Sequence, residues 1–121
     1  TAWIWIDGRL VGEAPVVVVA CAETDRRVMR CGHPAYLVDV TIALDHLTLA
    51  AVDEGLGTCW IGSFAPPAVR TILSIPEDIE VVGVMPLGYP ADTDSAAPKN
   101  RLPLGRILHR ERWGGVTPLE G

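Results

Sequence analysis

The chain reads as one α/β or α+β domain, and three stretches carry that reading. Residues 16–22 (VVVVACA) and 81–85 (VVGVM) are apolar runs rich in β-branched side chains, the pattern of strands buried on both faces. Between them, residues 36–54 repeat apolar side chains at helical spacing. At 121 residues the chain suits a single domain, 1–121, large enough to build a core. With 49% apolar and 21% charged residues it is expected to fold and not to remain disordered.

Taken in order, residues 3–6 alternate aromatic and aliphatic side chains before the Asp7-Gly8 turn, as a short strand or the end of a helix would. Residues 23–34 are polar, with Arg26, Arg27 and Arg30, and read as a loop. In the helix at 36–54, Val40, Ala43, Leu44, Leu47, Ala50 and Ala51 form one stripe. Ile42, Leu49 and Val52 form a second apolar flank, as in a helix shared with a partner chain. Asp39 is expected in its first turn, favouring the helix dipole, and Gly55 is its stop signal. A short strand is expected at 58–61 and a helix from Pro66-Pro67 to about Ser74, since proline fits a first helical turn. The strand at 81–85 is expected to end at Pro86, before the Gly88-Tyr89-Pro90 turn. Residues 91–98 read as a solvated linker, followed by an apolar stretch at 104–108, then Arg110, Arg112 and Trp113.

Charge and cysteine usage exclude several functions. A net charge of −5 argues against broad phosphate-backbone binding, so nucleic acid is not an expected partner. The longest apolar run, 14–22, is too short to span a bilayer and is interrupted by Pro15, and no signal peptide is visible; no membrane association is expected. The chain starts at Thr1 without a Met, so a missing or processed start is expected. Cys21, Cys31 and Cys59 form no CxxC pair, which fits a reducing cytoplasm better than a disulfide framework. Cys31 and His33 supply two metal-type ligands where a structural site needs four, so their loop is read as ordinary. His46 and His109 have no Ser or Cys placed to use them as a base. Neither GxGxxG nor GxxxxGK[ST] occurs.

The segment 55–64, GLGTCWIGSF, holds the main candidate site. A glycine-bearing turn between a helix and a strand leaves backbone N–H groups free of side-chain cover, able to approach a flat cofactor with polar edges. The backbone around Ile61, Gly62 and Ser63 is the candidate there. Lys99, the chain's only lysine, and Arg101 stand at i, i+2, a spacing that puts both on one side of an extended segment and suits a doubly charged phosphate. Together the two motifs suggest a flavin nucleotide.

In order along the chain, four segments resemble the C-terminal portion of the nitroreductase family of FMN enzymes. They are EAPVVVVACA (13–22), YLVDVTIALDHLTLAAVDEGLGTCWIGSF (36–64), IPEDIEVVGVMPLGYP (75–90) and PKNRLPLGRILH (98–109). The resemblance implies an α+β fold with a central mixed sheet flanked by helices, in an intertwined homodimer packed through the 36–54 helix. It implies FMN as cofactor, with Trp60, Ile61, Gly62 and Ser63 along the isoalloxazine and Lys99 and Arg101 on the phosphate. It also implies NAD(P)H as reductant and a nitroaromatic, quinone or similar small-molecule acceptor, served in ping-pong order with no essential side-chain acid or base. The Arg/Ser-rich phosphate motif and the Pro-Ser/Asn segment of the family's N-terminal part have no counterpart here. A truncated or incompletely described polypeptide is therefore expected, with a non-catalytic flavin-binding or dimerisation module as the alternative function.

Overall fold

The computed structural model describes residues 12–91 and 100–115. They belong to two compact units, Thr1–Ala91 and Asp92–Gly121, taken separately below. The segment at 3–6, most of the 91–98 linker, and Lys99 lie outside the described residues.

In the first unit the order is β1 (Val16–Glu23), α1 (Ala35–Asp53), β2 (Gly57–Thr58), α2 (Pro66–Leu73) and β3 (Ile79–Gly88). The strands form one sheet, order β1-β3-β2, antiparallel at each described pairing. Of the two classes open from the pattern alone, α+β is the one found.

β3 is the central strand, and it corrects two expectations. It is ten residues long and runs through Pro86 to Gly88 instead of stopping at the proline. The reason lies in the register. Gly57 pairs with Gly88, Thr58 with Leu87, and Ile61 with Val84, which places Pro86 opposite Cys59, at the break in β2 pairing. Val84 and Ile61 exchange both backbone bonds. By alternation Pro86 turns its nitrogen to the same side, where the missing N–H falls in that break. The expected strand at 58–61 is accordingly split into β2 and the Ile61 bridge.

β1 brings a third correction. It was expected to be buried on both faces, yet Val16 is 51% exposed and only Ala22 is fully buried. It is the outer strand of the described sheet, paired to β3 alone. A bulge between Ala20 and Cys21 leaves Val82 as the extra residue of β3. That insertion resets the alternation, so Val81 and Val84, three residues apart, enter the same cluster with Ile61 and Val69 of α2.

α1 matches the expected helix within one residue at each end. Since it begins at Ala35, Asp39 lies in the second turn and not the first, so it contributes little to the dipole. The first N–H of the helix, from Ala35, donates instead to the Arg27 carbonyl at 3.1 Å. The helix ends in a Schellman arrangement: Gly55, at φ +71°, donates to Val52, and Leu56 donates to Ala51 at 2.8 Å. Only Leu44 and Ala51 of the predicted stripe are fully buried, Val40 and Leu47 are half-buried, and Ala43 and Ala50 are exposed. The second flank lies open, with Ile42, Leu49 and Val52 exposed by 50, 64 and 71%. By length and composition α1 would suffice to cross a membrane, but here it packs Leu44 over Gly83 of β3.

α2 is fastened to β3 from its polar side. Arg70 donates to the Ile79 carbonyl at 2.8 Å and lies 3.6 Å from Glu80, whose other oxygen is 2.7 Å from Arg26. The Arg26 pair is largely exposed and contributes at most about 1 kcal/mol. In the second unit α3 (Leu104–Ile107) is a single turn. Beyond it the chain folds back through residues 110–115, with Trp113 against His109 at a ring distance of 4.5 Å.

Two substitutions test this core. Leu44→Ala should cost about 2–5 kcal/mol in chemical denaturation, because a 3%-exposed leucine is removed from a packed layer. Gly55→Ala should cost about 1 kcal/mol by the same measurement, since the added Cβ meets no neighbour and only the left-handed backbone resists it.

Candidate functional site

The residues between β2 and α2 are built as a short exposed bend held at both ends. At its start Ile61 is wholly buried, donates to the Val84 carbonyl at 2.8 Å and accepts from the Val84 N–H at 3.2 Å. At its end Pro66 and Pro67 start α2. Between these anchors Gly62 and Ser63 are exposed, and their N–H groups make no hydrogen bond with another described residue.

The donors are therefore few and well defined. Ile61 spends its N–H on the sheet. The helix start adds none, because two prolines lack the group and Ala68 and Val69 both donate to the Ala65 carbonyl. Among the described residues the exposed donors of the bend are those of Gly62 and Ser63, on a stretch with no charged side chain from Thr58 to Val69; Phe64, next in the chain, is half-buried and paired in a bridge. Neutral, adjacent donors without a cationic partner suit the carbonyl or ring-nitrogen edge of a flat heterocycle more than a phosphate.

Trp60 completes the bend, and its position depends on a glycine that the sequence reading did not single out. A Cβ at Gly83 would come within 3.2 Å of Trp60 Cζ2, 3.3 Å of its Cη2 and 3.3 Å of Leu44 Cδ1. The indole thus lies against bare β3 backbone beside α1, 39% exposed. A glycine in the middle of an apolar strand was the available signal, since it marks a close approach to the backbone.

The six candidate residues fall into two groups. Trp60, Ile61, Gly62 and Ser63 form one continuous bend. Arg101 is exposed in the second unit, two residues before Pro103 caps α3, while Lys99 lies outside the described residues. Elsewhere, burial pushes the Cys21 thiol above its ordinary value, opposed in part by Arg70, so it is protonated at neutral pH and no activated nucleophile. Among the described residues no three His, Cys, Asp or Glu side chains gather as metal ligands.

The chain is similar to known proteins in sequence and fold. An Archaeoglobus fulgidus protein named as an NADH dehydrogenase/NAD(P)H nitroreductase is 33% identical over 111 residues, covering 88% of this chain and 62% of its own length. The crystal structure of a nitroreductase family protein from Clostridium novyi superposes with a TM-score of 0.62 at 34% identity, over 85% of this chain and 54% of that one. A protein described as an FMN-dependent nitroreductase from Clostridium difficile superposes with a TM-score of 0.67 over 82% of this chain and 58% of that one; at 23% identity it shares the fold alone. The chain thus spans between half and two thirds of the length of these relatives. The family model for nitroreductases matches residues 4–89, a range that takes in the whole described sheet, both of its helices and the Gly62–Ser63 bend. The chain belongs to the nitroreductase family.

Proposed function

We propose that this chain contributes the flavin-edge wall of an FMN-dependent NAD(P)H oxidoreductase working in the reducing cytoplasm. The observation that carries the reading is the Gly62–Ser63 bend, with two exposed N–H donors held between the Ile61–Val84 pair and α2. A flat ring presenting acceptor atoms along one edge fits those donors, and a bare Gly62 lets it approach the backbone. FMN held there would supply the redox chemistry, linking NAD(P)H as reductant to a nitroaromatic, quinone or similar acceptor in ping-pong order.

The chain's own residues bind and orient. Gly62 and Ser63 hydrogen-bond the ring edge, and Ile61 anchors the bend by giving both backbone groups to Val84. Lys99 and Arg101 neutralise the phosphate. No side chain here is required to move a proton. The α1 flank of Ile42, Leu49 and Val52, continuous with an apolar groove along Leu37, Val38 and Ile42, packs against a second copy. The runner-up is a non-catalytic flavin-binding or dimerisation module, favoured by the fact that this flank is independent of the bend. It would bind FMN or dimerise yet give no NAD(P)H oxidation above free FMN.

Two measurements test these assignments in the full polypeptide. Purified protein should be yellow or take up added FMN, and Lys99→Ala with Arg101→Ala should weaken FMN binding roughly tenfold to a hundredfold by fluorescence titration. A protein that never binds flavin would sink the reading. Leu49→Glu should shift the sedimenting species from dimer to monomer, because it places a charge on the buried side of the proposed interface.

A further inference from the structure

Gly62 and Gly83 stand opposite one another in the extended register of β2 and β3, and one side chain covers both. The Trp60 indole puts Cζ2 and Cη2 over Gly83 and brings Nε1 to 3.7 Å from where a Cβ of Gly62 would lie. A single edge of the ring therefore runs from the strand to the bend. Leu44 of α1 closes on the same spot, 3.3 Å from the Cβ position at Gly83. Such packing fixes χ1 and χ2 of the tryptophan and leaves its N–H at a defined place beside Gly62. Among the described residues Nε1 has no hydrogen-bond partner, although the residue is less than half exposed.

We propose that Trp60 is a positioning and specificity-determining residue whose indole N–H donates to an acceptor atom on the same ring edge that Gly62 and Ser63 serve. This rests on the flavin reading above and adds a third, side-chain donor to the two backbone ones. An indole N–H is donor-only, so it selects for an acceptor and disfavours a ring presenting N–H at that point. Preorganisation comes from Gly83, where an added Cβ would stand 3.2 Å from the indole and crowd it from its seat, whereas a Cβ at Gly62 would meet Nε1 at an ordinary 3.7 Å.

The test is a titration of the full polypeptide with FMN and with riboflavin. Trp60→Phe keeps an aromatic ring over Gly83 and removes the donor. It should weaken both ligands by roughly fivefold and shift the visible flavin band, because one neutral hydrogen bond is lost. Arg101→Ala, by contrast, should affect FMN alone, since riboflavin has no phosphate. A second variant, Gly83→Ala, should move the indole and give the same loss with riboflavin, together with a change in tryptophan emission that vanishes in the Trp60→Phe background. Trp60→Phe that binds both flavins with wild-type affinity and spectrum overturns the proposal while leaving the flavin reading intact. Wild-type protein that binds neither flavin overturns both.

Discussion

The reciprocal pair of hydrogen bonds between Ile61 and Val84 is the constraint on which the rest is arranged. It is the last backbone attachment of the chain to the sheet before the Gly62–Ser63 bend, and it sits in a fully buried cluster. Remove it, and the bend loses its tie to the central strand on the side of Gly62. The two sides of the sheet meet at this point. Ile61 and Val84 face Val69 of α2, while Trp60 and Gly83 meet Leu44 of α1. Burial at Ile61 and exposure at Gly62 are thus consecutive consequences of one strand leaving a sheet.

Much of this was legible in the sequence. The long helix was visible because 3.6-residue periodicity persists over five turns and a glycine marks its end. The stretch 55–64 reads in the sequence as a glycine-bearing turn between a helix and a strand, whereas the exposed Gly62–Ser63 bend lies after β2 and the Ile61 bridge, ahead of the proline pair. Two features were not. Local composition shows that 16–22 is a strand, but whether both faces are covered depends on what packs over them, and among the described residues β1 is buried only at Ala22. Pro86 reads locally as a terminator, and only the register reveals that its missing N–H falls opposite a break. Trp60 was legible as a candidate, while its seat was not, because Gly83 lies more than twenty residues away in the chain.

Membership in the nitroreductase family is shown, and the proposed flavin site implies a division of work. The described residues offer neutral donors on a bend anchored to the sheet. That is the pattern expected where a bound group supplies the reactivity and the protein supplies placement. It also explains why glycine and proline, not charged residues, dominate the bend.

Pro86 has a further effect, on the choice of pairing frame. Sliding β2 by two residues would preserve which side chains face which layer, so burial alone does not forbid it. A slide in one direction would set Pro86 against Ile61. The missing donor would then face the carbonyl of a wholly buried residue, at a cost of about 1–3 kcal/mol for the unsatisfied group. In the observed frame it faces the half-buried Cys59 instead. A residue that weakens the ladder by one bond thereby works as a frame marker, penalising a misregistered sheet that would carry Gly62 and Ser63 to the wrong place.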